Sequence, residues 1–330
     1  MTKTRTALVI GATGGVGGAI ADRLLADRWH VRAINRHPET AATRSGRPGL
    51  EWVKGDAMVE SDVAAAAAGA EIIVHGANPP GYKNWAGLQL PMLRSSIAAA
   101  QAAGASILFP GTVYNYGPDA FPRIDERSPQ HPKTRKGAIR VRMEAALREA
   151  GVPVLIVRCG DFFGPKPGNN WLSQGIVRPG RPVTSVTCPG PMDVPHTWAY
   201  LPDVAETFVR LLETDLGAFE VFQMKGHEVT FRELVAGLEA AAGRTLKVNR
   251  LPWPALRLVA PFNESLREML EMRYLWNEPV LLDDRRLVQR LGAEPRTPLT
   301  EALRTALQGQ GSLPRVENSP IRQGYAAPQH

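Results

Sequence analysis

The chain has 330 residues, 44% hydrophobic and 22% charged, a balance that excludes a disordered chain and has room for one large α/β domain plus a smaller part. Its 39 Lys and Arg against 32 Asp and Glu give a net charge of +7. The basic residues are spread among the acids and no nucleic-acid-reading motif is present, so a nucleic-acid partner is not expected. Two cysteines, Cys159 and Cys188, exclude a disulfide scaffold and make a reduced, cytoplasmic chain the simple reading. The first nine residues are too polar for a signal peptide, and no apolar run reaches the ~20 residues of a bilayer span, so no membrane partner is expected either.

In chain order, residues 7–10 form a short apolar run closed by glycines, a first strand. Residues 16–28 carry Val16, Ile20, Leu24 and Leu25 at helical spacing. Residues 30–34 and 51–54 read as strands, 64–70 as an alanine-rich helix and 71–75 as a fourth strand. A helix over 91–104, a strand over 106–109, a helix over 138–150 and a strand over 153–158 follow. Such alternation, with continuously apolar strands, predicts a Rossmann-type, doubly wound parallel sheet covered on both faces. Residues 1–165 form this domain, completed by a helix over 201–212 and a strand near 218–223. The stretch 165–195 is rich in Pro, Gly and Asn. Helices over 231–242 and 282–291 then place a smaller, mixed α/β substrate domain mostly within 166–308. Residues 309–330 are polar and Pro-rich and read as a mobile tail.

Gly11-Ala12-Thr13-Gly14-Gly15-Val16-Gly17-Gly18 joins the first strand to the first helix. The spacing of Gly11, Gly14 and Gly17 suits a tight turn, close approach of backbone to a pyrophosphate, and close packing of helix on sheet. The N–H groups around Thr13, Gly15 and Val16 then face the phosphates. The second strand ends Ala33-Ile34-Asn35-Arg36, without the acid that bonds the ribose 2′-hydroxyl of NAD. The Arg36 fork suits a 2′-phosphate, which favours NADP over NAD. Asp56, with Ala57 after it, follows the 51–54 strand and offers either a bond to the adenine amine or a plain turn cap.

These motifs resemble the extended short-chain dehydrogenase/reductase family, including its epimerase/dehydratase and dihydroflavonol-reductase-like branches. Further carriers are Val74-His75-Gly76-Ala77, the stretch Thr112 to Pro118, Arg158 with Phe163-Gly164-Pro165, and Leu201-Pro202-Asp203-Val204-Ala205. The resemblance implies a substrate held between the two domains, and Gly76 and Ala77 beside the cofactor. It puts Thr112, four residues before Tyr116-Gly117, in the role of polarising the substrate oxygen. The polar loop from Asn78 to Trp85 lies beside the nicotinamide by the same resemblance. Homodimers are common in the family, although no residue here shows one.

The sequence departs from that family where a Tyr-x-x-x-Lys pair is expected. None of the six tyrosines has a Lys four residues later. Counting back from Glu144, which matches a glutamate that often follows the pair, puts Arg140 at the Lys position and Lys136 at the Tyr position. The three then form an i, i+4 row. As an ammonium, Lys136 suits protonation of the alkoxide made by hydride addition, with Glu144 partly offsetting the charge of Arg140. Two other readings of this row are a solvated basic surface and a contact for an anionic group of the substrate. Tyr114 is a second candidate acid, on the same side as Thr112 if the strand stays extended. His75 reads as a core histidine and His196 as a weakly supported substrate contact. No metal-ligand spacing is present. Three functions remain: an NADP(H)-dependent carbonyl reductase or alcohol oxidant, a nucleotide-sugar epimerase or dehydratase, and a non-catalytic NADP-binding sensor or scaffold. The missing Tyr weighs against the second and separates the third from the first.

Overall fold

The computed structural model describes residues 4–79, 84–166 and 170–314. Seven strands form one parallel sheet: β1 (Thr6–Ile10), β2 (His30–Asn35), β3 (Leu50–Lys54), β4 (Ile72–His75), β5 (Ser106–Thr112), β7 (Val154–Cys159) and β11 (Phe219–Gln223). A short strand, β6 (Arg123–Ile124), stands outside it. The sheet order is β11-β7-β5-β4-β1-β2-β3, so the direction of winding reverses between β1 and β4, the position where α/β folds take their ligands. Helices α1 (Gly15–Ala26) and α6 (Leu201–Leu212) share a core with one face. Helices α3 (Glu60–Ala66), α4 (Trp85–Ala103) and α5 (Arg135–Arg148) cover the other, and α2 (Pro38–Ser45) connects β2 to β3.

The smaller part holds β8 (Asp161–Phe163), β9 (Ser185–Cys188), β10 (Pro195–Tyr200), β12 (His227–Thr230), β13 (Lys247–Arg250) and β14 (Leu281–Leu282). Its helices are α7 (Phe231–Ala242), α8 (Trp253–Val259), α9 (Glu264–Glu271) and α11 (Leu299–Gly309); α10 (Arg285–Leu291), expected from sequence in this part, instead buries Leu287 in the core that α1 and α6 share with the large sheet. Trp198, Trp276, Phe163 and the apolar faces of α7 and α11 form its core. No helix among the described residues is long and apolar enough to cross a membrane.

Several boundaries differ from those the sequence suggests, each for a local reason. Helix α3 starts four residues before the alanine run, where Glu60 and Asp62 suit the positive end of a helix, and the chain turns away at Gly69, φ +71°. Helix α4 begins at Trp85 and runs through Pro91. Burial of Trp85 and Gln89 outweighs the hydrogen bond that the proline removes. The stretch expected to be mobile from Gly309 begins with packed residues, because α11 ends there and Gln310 and Ser312 are buried. Residues 315–330 lie outside the described residues.

One buried network ties these layers together. Arg158, on β7, donates to Glu144 of α5 through Nη2 (2.5 Å) and Nε (3.1 Å), and to the Tyr116 hydroxyl through Nη1 (2.6 Å). Gln223 of β11 donates to the same hydroxyl at 2.6 Å, and Asn115 donates to Glu144 at 2.9 Å. Removing one member of a buried pair strands the other charge, typically at about 3–5 kcal/mol. We expect Arg158→Met to lose about that much in urea denaturation, and Arg158→Met with Glu144→Gln to recover part of it. A single variant within ~1 kcal/mol of wild type would show that the pair does not carry the fold.

Candidate active site

The glycine turn is built by mutual backbone approach. Gly11 has φ +92°, and a Cβ there would lie 2.5 Å from the Gly76 carbonyl oxygen and 2.8 Å from the Ala77 nitrogen. A Cβ on Gly17 would lie 2.6 Å from the Gly11 carbonyl oxygen. The Gly14 N–H donates to that oxygen at 2.9 Å, and Gly14 caps α1 without a side chain. The first N–H groups of α1, from Gly15 through Val16 to Gly17, are those a helix leaves unbonded, and the turn carries no side chain larger than Thr13 in front of them. These residues fit the pyrophosphate of a dinucleotide: the cradle requires glycine, and its open end carries the helix's positive dipole.

Around this cradle, Arg36 stands exposed just past the end of β2 and makes no hydrogen bond or ion pair with other described residues. Asp56 accepts from the Met58 N–H at 3.0 Å through one oxygen, so it forms a turn cap. Ala57 is half-buried beside it. Sequence reasoning passed over Arg47, whose guanidinium donates to the Ala12 carbonyl at 2.8 Å and pairs with Asp22. It comes from the loop after α2, where no pattern marked it.

Thr112 is the last residue of β5 and is buried. Its Oγ1 accepts from the Tyr114 N–H at 3.4 Å, capping a single 3₁₀ turn over Val113–Asn115. That turn overturns the expectation of an extended chain with Tyr114 aimed as Thr112 is; Tyr114 instead packs half-buried beside Val113 and Tyr116. The α5 helix is pressed against this turn, since a Cβ on Gly137 would collide with the Tyr114 carbonyl. Tyr116 is wholly buried in the Arg158 network, and burial pushes its hydroxyl up to about 12, which makes it a structural group.

Lys136 and Arg140 are not a solvated basic face. They are 4% and 9% exposed. Lys136 Nζ lies 5.4 Å from the Trp85 ring centre, and the Arg140 guanidinium lies 5.3 Å from that ring and 5.2 Å from the Phe109 ring. Arg140 donates to the Pro110 carbonyl at 3.4 Å, which fixes it near the end of β5. Arg158 bonds both oxygens of Glu144, the third member of the row. The counter-charge of Lys136 comes from elsewhere: Glu268 of α9 at 3.4 Å. Burial lowers the Lys136 ammonium below the ordinary lysine value, and Glu268, Glu271 and Glu264 act against that.

The polar loop expected beside the cofactor is described at its two ends only, residues 80–83 lying outside the described residues. Asn78 accepts from Gln89 at 3.1 Å, and the Asn84 N–H donates to Glu264 at 3.2 Å. His196 bonds Asp161 at 2.7 Å and stacks on Trp276, with ring centres 4.3 Å apart, in the small-domain core. His75 is buried behind the site, bonded to Ser96 at 2.8 Å. Desolvation, aided by the Arg140 charge, pulls its imidazole down to about 3.

A family model described as NAD(P)H-binding matches residues 11–183. The NmrA-like family domain-containing oxidoreductase notA of Aspergillus sp. (strain MF297-2) is 43% identical over 67 residues. That match spans 20% of this chain and 20% of that protein. Among solved structures, UDP-glucose 4-epimerase from Bifidobacterium longum, in complex with NAD+ and UDP, superposes with TM-score 0.70 at 16% identity, covering 93% of this chain and all of that one. UDP-glucuronic acid 4-epimerase from Bacillus cereus gives 0.69 at 17%, covering 92% and 98%. The Bordetella bronchiseptica enzyme WbmH, in complex with NAD+, gives 0.68 at 19%, covering 94% and 100%. The fold is theirs.

An imidazole that binds its proton near pH 3 when folded, but near 6.5 when unfolded, favours the unfolded chain as the pH falls between those values. We expect His75 to contribute a loss of stability below about pH 6.5, with a slope approaching about 1.4 kcal/mol per pH unit, and His75→Gln to flatten it. Urea midpoints at about pH 7 and 4.5 measure this; parallel losses in both proteins would clear His75 of the effect.

Proposed function

We propose that this chain, which belongs to the NAD(P)H-binding family, is an NADP(H)-dependent oxidoreductase that reduces a carbonyl group on a small organic substrate. The observation that carries the reading is the burial of Lys136 and Arg140 under Trp85, beside the turn that Thr112 caps. Desolvating two cations costs several kcal/mol each, which a helix with no task at this end has no need to bear.

When bound, the nicotinamide supplies hydride to the carbonyl carbon. The glycine cradle and the α1 N-terminus would hold the two linked phosphates, and Arg36 would hold the 2′-phosphate. Arg140, at the Lys position of the Tyr-x-x-x-Lys pair, would hold the nicotinamide ribose. Thr112 donates its hydroxyl to the substrate oxygen while continuing to accept from Tyr114. As the carbon–oxygen π pair moves onto oxygen, Lys136 gives up one ammonium proton to it, and the resulting amine regains a proton from water. The balance is one carbonyl, one reduced cofactor and one proton giving one alcohol and oxidised cofactor. A lysine facing a carboxylate is held as a donor, which favours reduction over the base-initiated oxidation that opens an epimerase cycle.

Lys136→Met and Thr112→Ala are each expected to lower kcat by about 10²-fold or more with cofactor affinity within a few-fold of wild type. Steady-state NADPH oxidation over a panel of aldehydes and ketones measures the first, and fluorescence titration the second. Undiminished turnover in either variant removes that residue from the chemistry. Arg36→Ala should weaken NADPH about 10- to 100-fold while leaving NADH nearly unchanged. Equal losses for both cofactors would reject a 2′-phosphate contact.

A further inference from the structure

Helix α9 belongs to the C-terminal part of the chain, yet its acidic face covers the N-terminus of α5. Glu264, Glu268 and Glu271 stand at i, i+4 and i+7, one side of a helix. Glu264 accepts from the Asn84 N–H, where α4 begins. Glu271 takes the Arg135 guanidinium at 3.0 Å and the Arg135 N–H at 3.2 Å. Glu268 is buried, and it receives Arg135 at 3.3 Å on one oxygen and Lys136 at 3.4 Å on the other. Arg135 is itself exposed and has Glu271 as a partner, so Glu268 is the carboxylate placed for the buried ammonium. The Trp85 ring closes a further side.

We propose that Glu268 is the positioning residue of the proton donor, its carboxylate holding the Lys136 ammonium in one orientation so that α9 completes a group begun on α5. This rests on the reading of Lys136 as the donor. A lysine side chain has four rotatable bonds and no geometric preference of its own. An ammonium held only over an indole ring slides across its face, whereas a carboxylate fixes both its direction and its charge. The carboxylates acting on Lys136 are Glu268, Glu271 and Glu264 of α9; Arg135, its neighbour on α5, shares Glu268 with it, and Arg140, one turn on, shares the Trp85 ring. Glu268 makes an ion pair with Nζ at 3.4 Å.

Titration of the Lys136 Cε resonance in lysine-13C-labelled protein without cofactor, assigned by its loss in Lys136→Met, tests the placement directly. Removing the paired carboxylate in Glu268→Gln is expected to lower the Lys136 midpoint by about one pH unit or more, and Glu268→Asp to restore most of it. In turnover, the alkaline limb of the kcat profile should move to lower pH by a similar amount in Glu268→Gln, with KM for NADPH within about twofold. An unmoved midpoint together with an unmoved limb overturns the proposal. Full activity in Lys136→Met overturns instead the reading of Lys136 as donor, and it does so whatever the Glu268 variants show. The two failures are therefore distinct. A merely structural Glu268 would lower stability without moving either midpoint.

Discussion

Glu144 and Arg158 form the pair on which the geometry of this molecule turns. The two charges lie inside the protein, where the attraction between them is strong only if each stays fully bonded. Glu144 is bonded by Arg158 and Asn115, and Arg158 by Glu144 and Tyr116. Because Glu144 sits on α5 and Arg158 on β7, the pair fixes how α5 rolls on the sheet. With that roll set, the residues four and eight positions earlier, Arg140 and Lys136, face the end of β5 and not the solvent. Tyr116, bonded by β7 and β11 together, fixes the chain just beyond Thr112. The scaffold of the site is thus a set of satisfied polar groups, and the groups assigned to chemistry are those this network leaves over.

The two halves of the proposed site obey different rules. At the proposed cofactor end, backbone would do the binding, and glycine is required because nothing larger fits between α1, β1 and the end of β4. At the proposed substrate end, side chains carry charge into an apolar setting, and each is matched from a separate element: Arg140 by the Pro110 carbonyl of β5 and two aromatic rings, Lys136 by a glutamate of α9. The second end therefore depends on how the C-terminal part seats on the sheet, while the first does not.

That division also explains what could be read from sequence. The glycine turn, the apolar strands and Thr112 at a strand end are local features, visible as spacing and composition. Counting back from Glu144 found Lys136 and Arg140, although a run of Lys and Arg ordinarily marks a wet surface, and only the packing of Trp85 and Phe109 shows that they are buried. Helix α2 stayed hidden because its eight residues, PETAATRS, are mostly polar and bury one side chain, Ala41. Tyr114 was placed by assuming an extended strand, and the Thr112 hydroxyl bends the chain there. Glu268 and Arg47 reach the site across long sequence separations, with no motif to announce either.

The interlocked glycines have one further consequence. Since Gly11, Gly17 and Gly76 meet backbone to backbone, the start of α1 cannot shift relative to the sheet without breaking that contact. The proposed phosphate seat is accordingly preorganised, so a dinucleotide arriving there would not have to order the turn itself. On the proposed function, affinity differences among nicotinamide cofactors would then originate at the rim, from groups such as the exposed Arg36, and the rim could be altered without disturbing the seat.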